Sequence, residues 1–176
     1  MVHVVGIFHT STNYSLFAVP AAFGLAFAPH LYAVCLLNFK HAPNAEGFDF
    51  SNPKNSRANI HQSGLSVADQ DRYLRAEAAN DNGFLGLPFF AAAVVAGNAA
   101  NLDLPTLNGA AAVYIGSRIA FNYLYIFGTN SEYASAAPLT ADALGLARTV
   151  SWFTGIGACL HLFYKAAYHF QPLIEG

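Results

Sequence analysis

Long apolar segments with few charges constrain the fold of this chain more than any other feature. Residues 1–39 contain no Asp, Glu, Lys or Arg, and eleven of the charged residues lie between Lys40 and Asp81. The rest of the chain is dominated by further apolar segments. A membrane-spanning helix needs about 20 apolar residues to cross roughly 30 Å of hydrocarbon. The distribution of charge therefore predicts a polytopic membrane protein.

The composition supports this class and argues against two others. The chain is 55% hydrophobic and 10% charged, whereas soluble proteins are about 25% charged. A net charge of -2 provides no basic surface for phosphates, so we expect no nucleic-acid partner. Both cysteines, Cys35 and Cys159, lie in apolar segments without the spacing of metal ligands, and we expect no metal site.

The pattern predicts one all-α membrane domain over residues 1–176, a polytopic four-helix bundle. Its four expected spans are residues 14–39, 68–100, 107–127 and 144–168. The first contains Pro20 and Pro29, which a membrane helix tolerates when a neighbouring group satisfies the carbonyl that proline leaves free.

The segments between these spans are polar. Residues 40–66 are rich in Asn, Ser, Gly and Pro and are predicted to be a loop, and residues 128–141 form another polar connection. Lysine and arginine are concentrated in the first connection and near the end of the third. This bias predicts that both connections face the cytosol.

Arg118 is the most informative single residue, because it interrupts the third span near its centre. An arginine at that depth costs about 2.5–3.5 kcal/mol on insertion scales, so it is normally paired or faces a wet cavity. Helical spacing places Tyr114, Asn122 and Tyr125 on the same face. We expect a polar cleft between helices; the alternatives are snorkelling to the interface and pairing with a buried carboxylate.

Four further positions extend this hypothesis. Arg75 and Asn82 share one face of the second span, and Arg72 lies one turn earlier. Arg148 begins the fourth span. We expect Arg75, Arg118 and Arg148 at similar depth, and several guanidiniums at one depth favour an anionic ligand with carboxylate or phosphate groups.

Other ionisable residues have open roles. A guanidinium such as that of Arg148 can stabilise a thiolate or a developing oxyanion, or it can simply anchor the helix at the interface. Glu77 and Asp81 lie on another face of the second span and are either a solvated helix end or part of the site. His30, within the first span, is a candidate proton carrier or a hydrogen-bonded core residue.

Three segments carry a resemblance to a known family: RAEAANDNGFLGLPFFAAAVVAGNAA, YIGSRIAFNYLYI and ARTVSWFTGIGACLHLFYKAA. Together they resemble the MAPEG family, the membrane-associated proteins in eicosanoid and glutathione metabolism, and its fungal members most. The resemblance extends from Tyr14 to Lys165. It implies four-helix subunits that assemble as homotrimers in intracellular membranes, chiefly the endoplasmic reticulum, and bind glutathione between subunits near the cytosolic side.

The resemblance also assigns roles to residues. Arg75 matches the arginine of the family signature RA-x-x-N-x-x-E, and Arg118 matches the arginine of the third helix. Tyr125 matches the tyrosine two turns later. Arg148 matches the arginine that activates the glutathione thiol in some members.

The chain departs from the signature after Arg75. Counting back from Pro88, Leu85 stands where the family has the glutamate expected to meet the glutathione amine. Asn82 takes the place of the signature asparagine if three residues are inserted.

The resulting hypothesis is a membrane glutathione transferase or peroxidase that acts on lipophilic electrophiles at a cytosol-facing cleft. Arg148 is the expected catalytic residue, and the expected glutathione-binding residues are Arg72, Arg75, Asn82, Arg118 and Tyr125. Membrane lipid and a small lipophilic substrate are the expected partners. One alternative is a glutathione-independent cyclase or isomerase of a hydrophobic metabolite in the same cleft, which Leu85 favours. Another is a non-catalytic membrane scaffold.

Overall fold

A computed structural model describes residues 12–45, 47–128 and 138–171, and every regular element within these ranges is helical. The elements are α1 (Ser15–Lys40), α2 (Pro53–Ala58), a 3-10 turn (Ile60–Gln62), α3 (Val67–Ala99), α4 (Leu104–Phe127) and α5 (Pro138–Phe170). The predicted all-α helical bundle is therefore confirmed, and the homotrimer stays a prediction.

Three helices of the described chain have the length and apolar composition of a membrane span. They are Ser15–Lys40, Val67–Ala99 and, within α5, Asp142–Phe170. α4 has 24 residues but does not reach that composition, so a fourth span stays a prediction. Large apolar side chains point away from the bundle, with Leu85 80% and Phe153 62% exposed. Such outward-facing side chains suit contact with lipid.

The starts of α3 and α4 are set by capping side chains. The Ser66 side chain accepts a hydrogen bond from the backbone N–H of Asp69, and the Asp103 side chain accepts one from Thr106. α4 therefore begins at Leu104, three residues before the predicted position. The apolar pattern alone placed the start of α4 too late, and it likewise missed the start of α5 at Pro138.

The prediction that residues 40–66 form a loop is wrong in part, because the segment contains α2 and the 3-10 turn. Phe48, Ile60 and Leu65 are buried and belong to one core cluster with Leu37 of α1 and Tyr73 of α3. These apolar side chains fix the segment against the bundle although polar residues surround them in sequence. Of the predicted connection 128–141, residues 129–137 lie outside the described residues.

The helix backbones approach closely because small residues line the contacts. α1 packs against α3 and α4, and α5 packs against the same two helices. A Cβ atom at Gly83 of α3 would lie only 2.8 Å from the Cα atom of Ala26 in α1. Contacts of this kind allow van der Waals packing where lipid removes the hydrophobic drive between helices.

Pro29 leaves one backbone carbonyl of α1 without its helical hydrogen bond, and a side chain of α4 replaces the missing donor. Proline has no N–H, so the carbonyl of Leu25, four residues earlier, loses its helical donor. The Nδ2 atom of Asn122 in α4 donates to that carbonyl oxygen at 2.8 Å. The expectation that a neighbouring group satisfies the freed carbonyl is therefore confirmed at Pro29.

We predict that the effect of substituting Asn122 depends on residue 29. Asn122→Leu should lower the free energy of unfolding by about 1–3 kcal/mol, because the half-buried Leu25 carbonyl is left without a donor. In a Pro29→Ala background the N–H of residue 29 returns, and the loss should fall below about 1 kcal/mol. Unfolding of the four variants in detergent micelles measures both values.

Asn80 provides a matched control. Its Nδ2 atom donates to the carbonyl of Ala26 at 2.9 Å, and in a regular helix this carbonyl already receives the N–H of residue 30. The cost of Asn80→Leu should therefore not change with Pro29→Ala. An equal dependence of both asparagine variants on residue 29 would contradict this account.

Candidate functional site

Two arginines from different helices converge on Tyr125. The Nε atom of Arg75 in α3 donates to the backbone oxygen of Tyr125 in α4 at 2.6 Å. The guanidinium carbon of Arg148 in α5 lies 4.6 Å from the centre of the Tyr125 ring. Arg75, Tyr125 and Arg148 are referred to below as the arginine cluster. Two of the arginines predicted from the sequence are thus brought together, with the predicted tyrosine between them.

The arginine cluster carries a surplus of positive charge. Asp71 offsets part of it, with one carboxylate oxygen 3.7 Å from the Nη1 atom of Arg75. The ion pairs found among the described residues do not include Arg148. Both arginines are half-buried. Two guanidiniums with one carboxylate between them suit an anionic ligand.

Arg72 and Asn82 lie on the same helix but bond elsewhere. The Nη1 atom of Arg72 donates to the Asp69 carboxylate at 3.3 Å, and Lys40 donates to that same carboxylate. The Nδ2 atom of Asn82 donates to the carbonyl of Ala78, one turn earlier in α3. The structure therefore does not bring these two predicted ligands into contact with the arginine cluster.

Arg118 lies inside the bundle, not in an open cleft with Arg75 and Arg148 as expected, and is only 4% exposed. Its guanidinium carbon lies 5.0 Å from the Tyr114 ring centre and 5.7 Å from that of Phe121. Aromatic ring faces attract a cation, which explains how an apolar interior accommodates this one.

Glycines on two neighbouring helices provide the space for this side chain. A Cβ atom at Gly86 of α3 would lie 3.0 Å from the Nη2 atom of Arg118, and one at Gly155 of α5 would lie 3.5 Å from its Nε atom. Because one chain alone encloses Arg118, a neighbouring subunit reaches it only if helices move.

A partly buried pair between His30 and Glu77 was not anticipated from the sequence. The Nδ1 atom of His30 in α1 lies 2.8 Å from a carboxylate oxygen of Glu77 in α3. The rings of Phe27 and Phe48 flank the imidazole, with centres 5.6 and 5.7 Å away. No spacing rule predicts this pair, because its members lie on different helices and 47 residues apart.

Asp81 has a different partner, at the surface. The Nη1 atom of Arg57 in α2 donates to its carboxylate at 2.8 Å, and both side chains are largely exposed. This hydrogen bond raises the pKa of Arg57 above its ordinary value, so the guanidinium stays charged. Glu77 therefore belongs to the bundle interior and Asp81 to the polar surface, and both have partners away from the arginine cluster.

Comparison with known protein families identifies the chain. The family model described as MAPEG family matches residues 16–168. The chain belongs to the MAPEG family. No curated protein and no solved structure matches it. The resemblance carried by the three helical segments is confirmed, and with its apolar helices this MAPEG chain is an integral membrane protein.

Membership in the family also limits the class of activity expected of this MAPEG chain. The family is one of membrane proteins of the glutathione-transferase and eicosanoid-metabolism type. The arginine cluster is the part of the described chain whose geometry suits such chemistry, because it gathers two cations around an aromatic residue. It is therefore the candidate site of this MAPEG protein.

We predict that the His30–Glu77 pair is energetically coupled and that the Arg57–Asp81 pair is nearly uncoupled. A double-mutant cycle with His30→Gln and Glu77→Gln should give a coupling energy of about 1–3 kcal/mol, because these side chains are far less exposed than those of the control pair. The cycle with Arg57→Gln and Asp81→Asn serves as the control and should give less than about 1 kcal/mol. Equal coupling in the two cycles, measured by unfolding in micelles, would contradict the assignment.

Proposed function

We propose that this MAPEG protein is a glutathione transferase or peroxidase that acts on lipophilic electrophiles. The observation that carries the proposal is the convergence of Arg75 and Arg148 on Tyr125, in a chain that the family model matches over residues 16–168. An electrophile dissolved in lipid can reach a half-buried site on a membrane helix bundle without crossing water.

The charges of the arginine cluster fit most of the glutathione molecule. Glutathione has two carboxylates, one amine and a thiol, and guanidiniums suit the carboxylates and the thiolate. The amine requires an acidic partner, and Leu85 stands at the position expected to supply it. Asp71 is the described acid closest to the cluster, 3.7 Å from Arg75, and we assign the amine to it.

Different residues bind the glutathione carboxylates and stabilise its thiolate. Arg75 holds carboxylates, and Tyr125 positions both arginines of the cluster through its carbonyl and its ring. Arg72, one turn away, would contribute only after releasing the Asp69 carboxylate. Arg148 stabilises the thiolate, because a nearby cation favours the anionic form of sulfur. Glutathione loses its thiol proton to water, and the resulting thiolate forms a sulfur–carbon bond with the electrophile as the leaving group departs with its electron pair. Asn82 would join only after releasing the Ala78 carbonyl.

We further propose that the protein works as a homotrimer in the endoplasmic reticulum membrane, with the arginine cluster on the cytosolic side. Two observations support an assembly in lipid. Leu85 and Phe153 are large, apolar and exposed in the single chain. The cluster itself is only half covered, which leaves room for a ligand between neighbouring subunits.

We predict that Arg148→Ala lowers kcat for conjugation of glutathione with a chloronitrobenzene by about 100-fold, because the thiolate loses its cation. Arg148→Lys should retain part of the activity. The control is Arg57→Ala, which removes an arginine paired with Asp81 away from the cluster and should leave kcat unchanged. Turnover of Arg148→Ala equal to that of the wild type removes the proposed role.

One observation favours a second function, a glutathione-independent cyclase or isomerase of a hydrophobic metabolite in the same cluster. Leu85 places an exposed apolar side chain where glutathione use calls for a carboxylate. Activity that persists in glutathione-free membranes would select this alternative. The scaffold hypothesis finds less support, because among the described arginines neither Arg118 nor Arg148 is paired with a carboxylate.

We predict that Leu85→Glu lowers the KM for glutathione by roughly tenfold, because a charged hydrogen bond to the amine is worth about 1.5–3 kcal/mol. Leu85→Gln is the matched control, with a similar shape and no charge, and should have a smaller effect. If neither variant changes the KM for glutathione, position 85 does not face the amine.

A further inference from the structure

The guanidinium of Arg118 has no counter-charge among the described residues. The side chain is 4% exposed. Its Nε, Nη1 and Nη2 atoms are all buried without a hydrogen-bond partner in the described ranges. A guanidinium keeps its charge at any pH that a protein tolerates. A buried, permanent cation with unused donors calls for an acceptor.

The neighbouring side chains satisfy this cation only in part. The ring faces of Tyr114 and Phe121 attract it, and the Tyr114 hydroxyl, which lies near its Nη2 atom beside Gly86, is a neutral acceptor that leaves the charge uncompensated. Tyr114 and Cys159 are the nearby acidic groups in the core, and both are ordinarily uncharged at neutral pH. Asn122, which is also close, donates its amide to the Leu25 carbonyl.

A small cavity borders Arg118. Its volume is about 10 Å³, and its wall is formed by α1, α3 and α4. The lining residues are Ala22, Leu25, Ala26, Gly83, Tyr114, Arg118 and Asn122. A cavity of this size holds one small particle, either a water molecule or a monatomic ion. It is too small for the carboxylate of glutathione or for a phosphate group.

We propose that this cavity binds a single monatomic anion, a halide such as chloride, against the guanidinium of Arg118. A water molecule there would accept hydrogen bonds but would leave the charge uncompensated. A halide accepts the hydrogen bonds and also compensates the charge. Tyr114 lines the same cavity, and we assign its hydroxyl as a second donor to the anion. The proposal goes beyond the proposed function, because it involves no glutathione and holds whether or not the chain is an enzyme.

The first test is the thermal stability of purified protein in detergent, measured without glutathione. The protein is exchanged into sodium gluconate, whose anion is too large for the cavity, and chloride is titrated in at constant ionic strength and pH. The Tm of the wild type should rise by roughly 5–10 °C when chloride reaches a hundredfold excess over its dissociation constant. Equal Tm values in chloride and gluconate overturn the proposal.

Substitutions locate the effect. Arg118→Met, which removes the charge and keeps the length, should abolish the rise in Tm. Arg57→Met is the matched control and should keep it, because Arg57 is a surface residue paired with Asp81. A chloride-dependent rise that persists in Arg118→Met overturns the proposal.

A second measurement needs no variant, so it decides the question even if Arg118→Met fails to fold. Crystals of the wild-type protein grown in bromide should show an anomalous scattering peak beside the Arg118 guanidinium. Bromide peaks confined to surface arginines, with water density in the cavity, overturn the proposal. Neither measurement depends on the arginine cluster, so failure here leaves the proposed transferase activity untouched.

Discussion

The buried charge of Arg118 lies between two apolar clusters, and the helices are arranged around it. One cluster contains Phe90 and Tyr114, and the other contains Tyr73 and Ile126. Between them, helices α3 and α5 present glycines and α4 presents aromatic faces. Larger side chains at those glycines would expel the guanidinium, and its removal would leave a void. Packing in the centre of the bundle therefore depends on the position of one cation.

The same physical requirement governs the other polar groups of the interior. Hydrocarbon offers no water, so each buried donor and acceptor needs a partner within the protein. The carbonyl freed by Pro29 receives an asparagine amide from α4, and Glu77 of α3 receives an imidazole from α1. At the start of α1, the buried hydroxyl of Ser15 accepts a hydrogen bond from Asn98. Pairs of this kind fix how the helices are rotated relative to one another. Apolar contacts alone would permit several relative rotations.

The sequence predicted the helices well because the lengths of apolar segments are a local property. The long helices end close to the predicted residues, and Arg75, Tyr125 and Arg148, which the family resemblance singled out, lie together. Arg118, which the periodicity placed on the same face as Tyr125, does not join them. The predictions that failed depend on contacts between parts of the chain that are far apart in sequence. The packing of residues 40–66 depends on apolar contacts with α1 and α3. The buried position of the Arg118 side chain depends on glycines of other helices. Periodicity states which residues share a face but not what that face meets.

The bond between Asn122 and the Leu25 carbonyl constrains the order in which this chain could evolve. Loss of the asparagine while Pro29 remains exposes a carbonyl to hydrocarbon, a step that selection disfavours. Loss of the proline first restores the backbone donor, after which the asparagine is free to drift. Lineages that lack Asn122 should therefore descend from ancestors that had already replaced Pro29. The two substitutions are expected in that order, with the proline replaced before the asparagine.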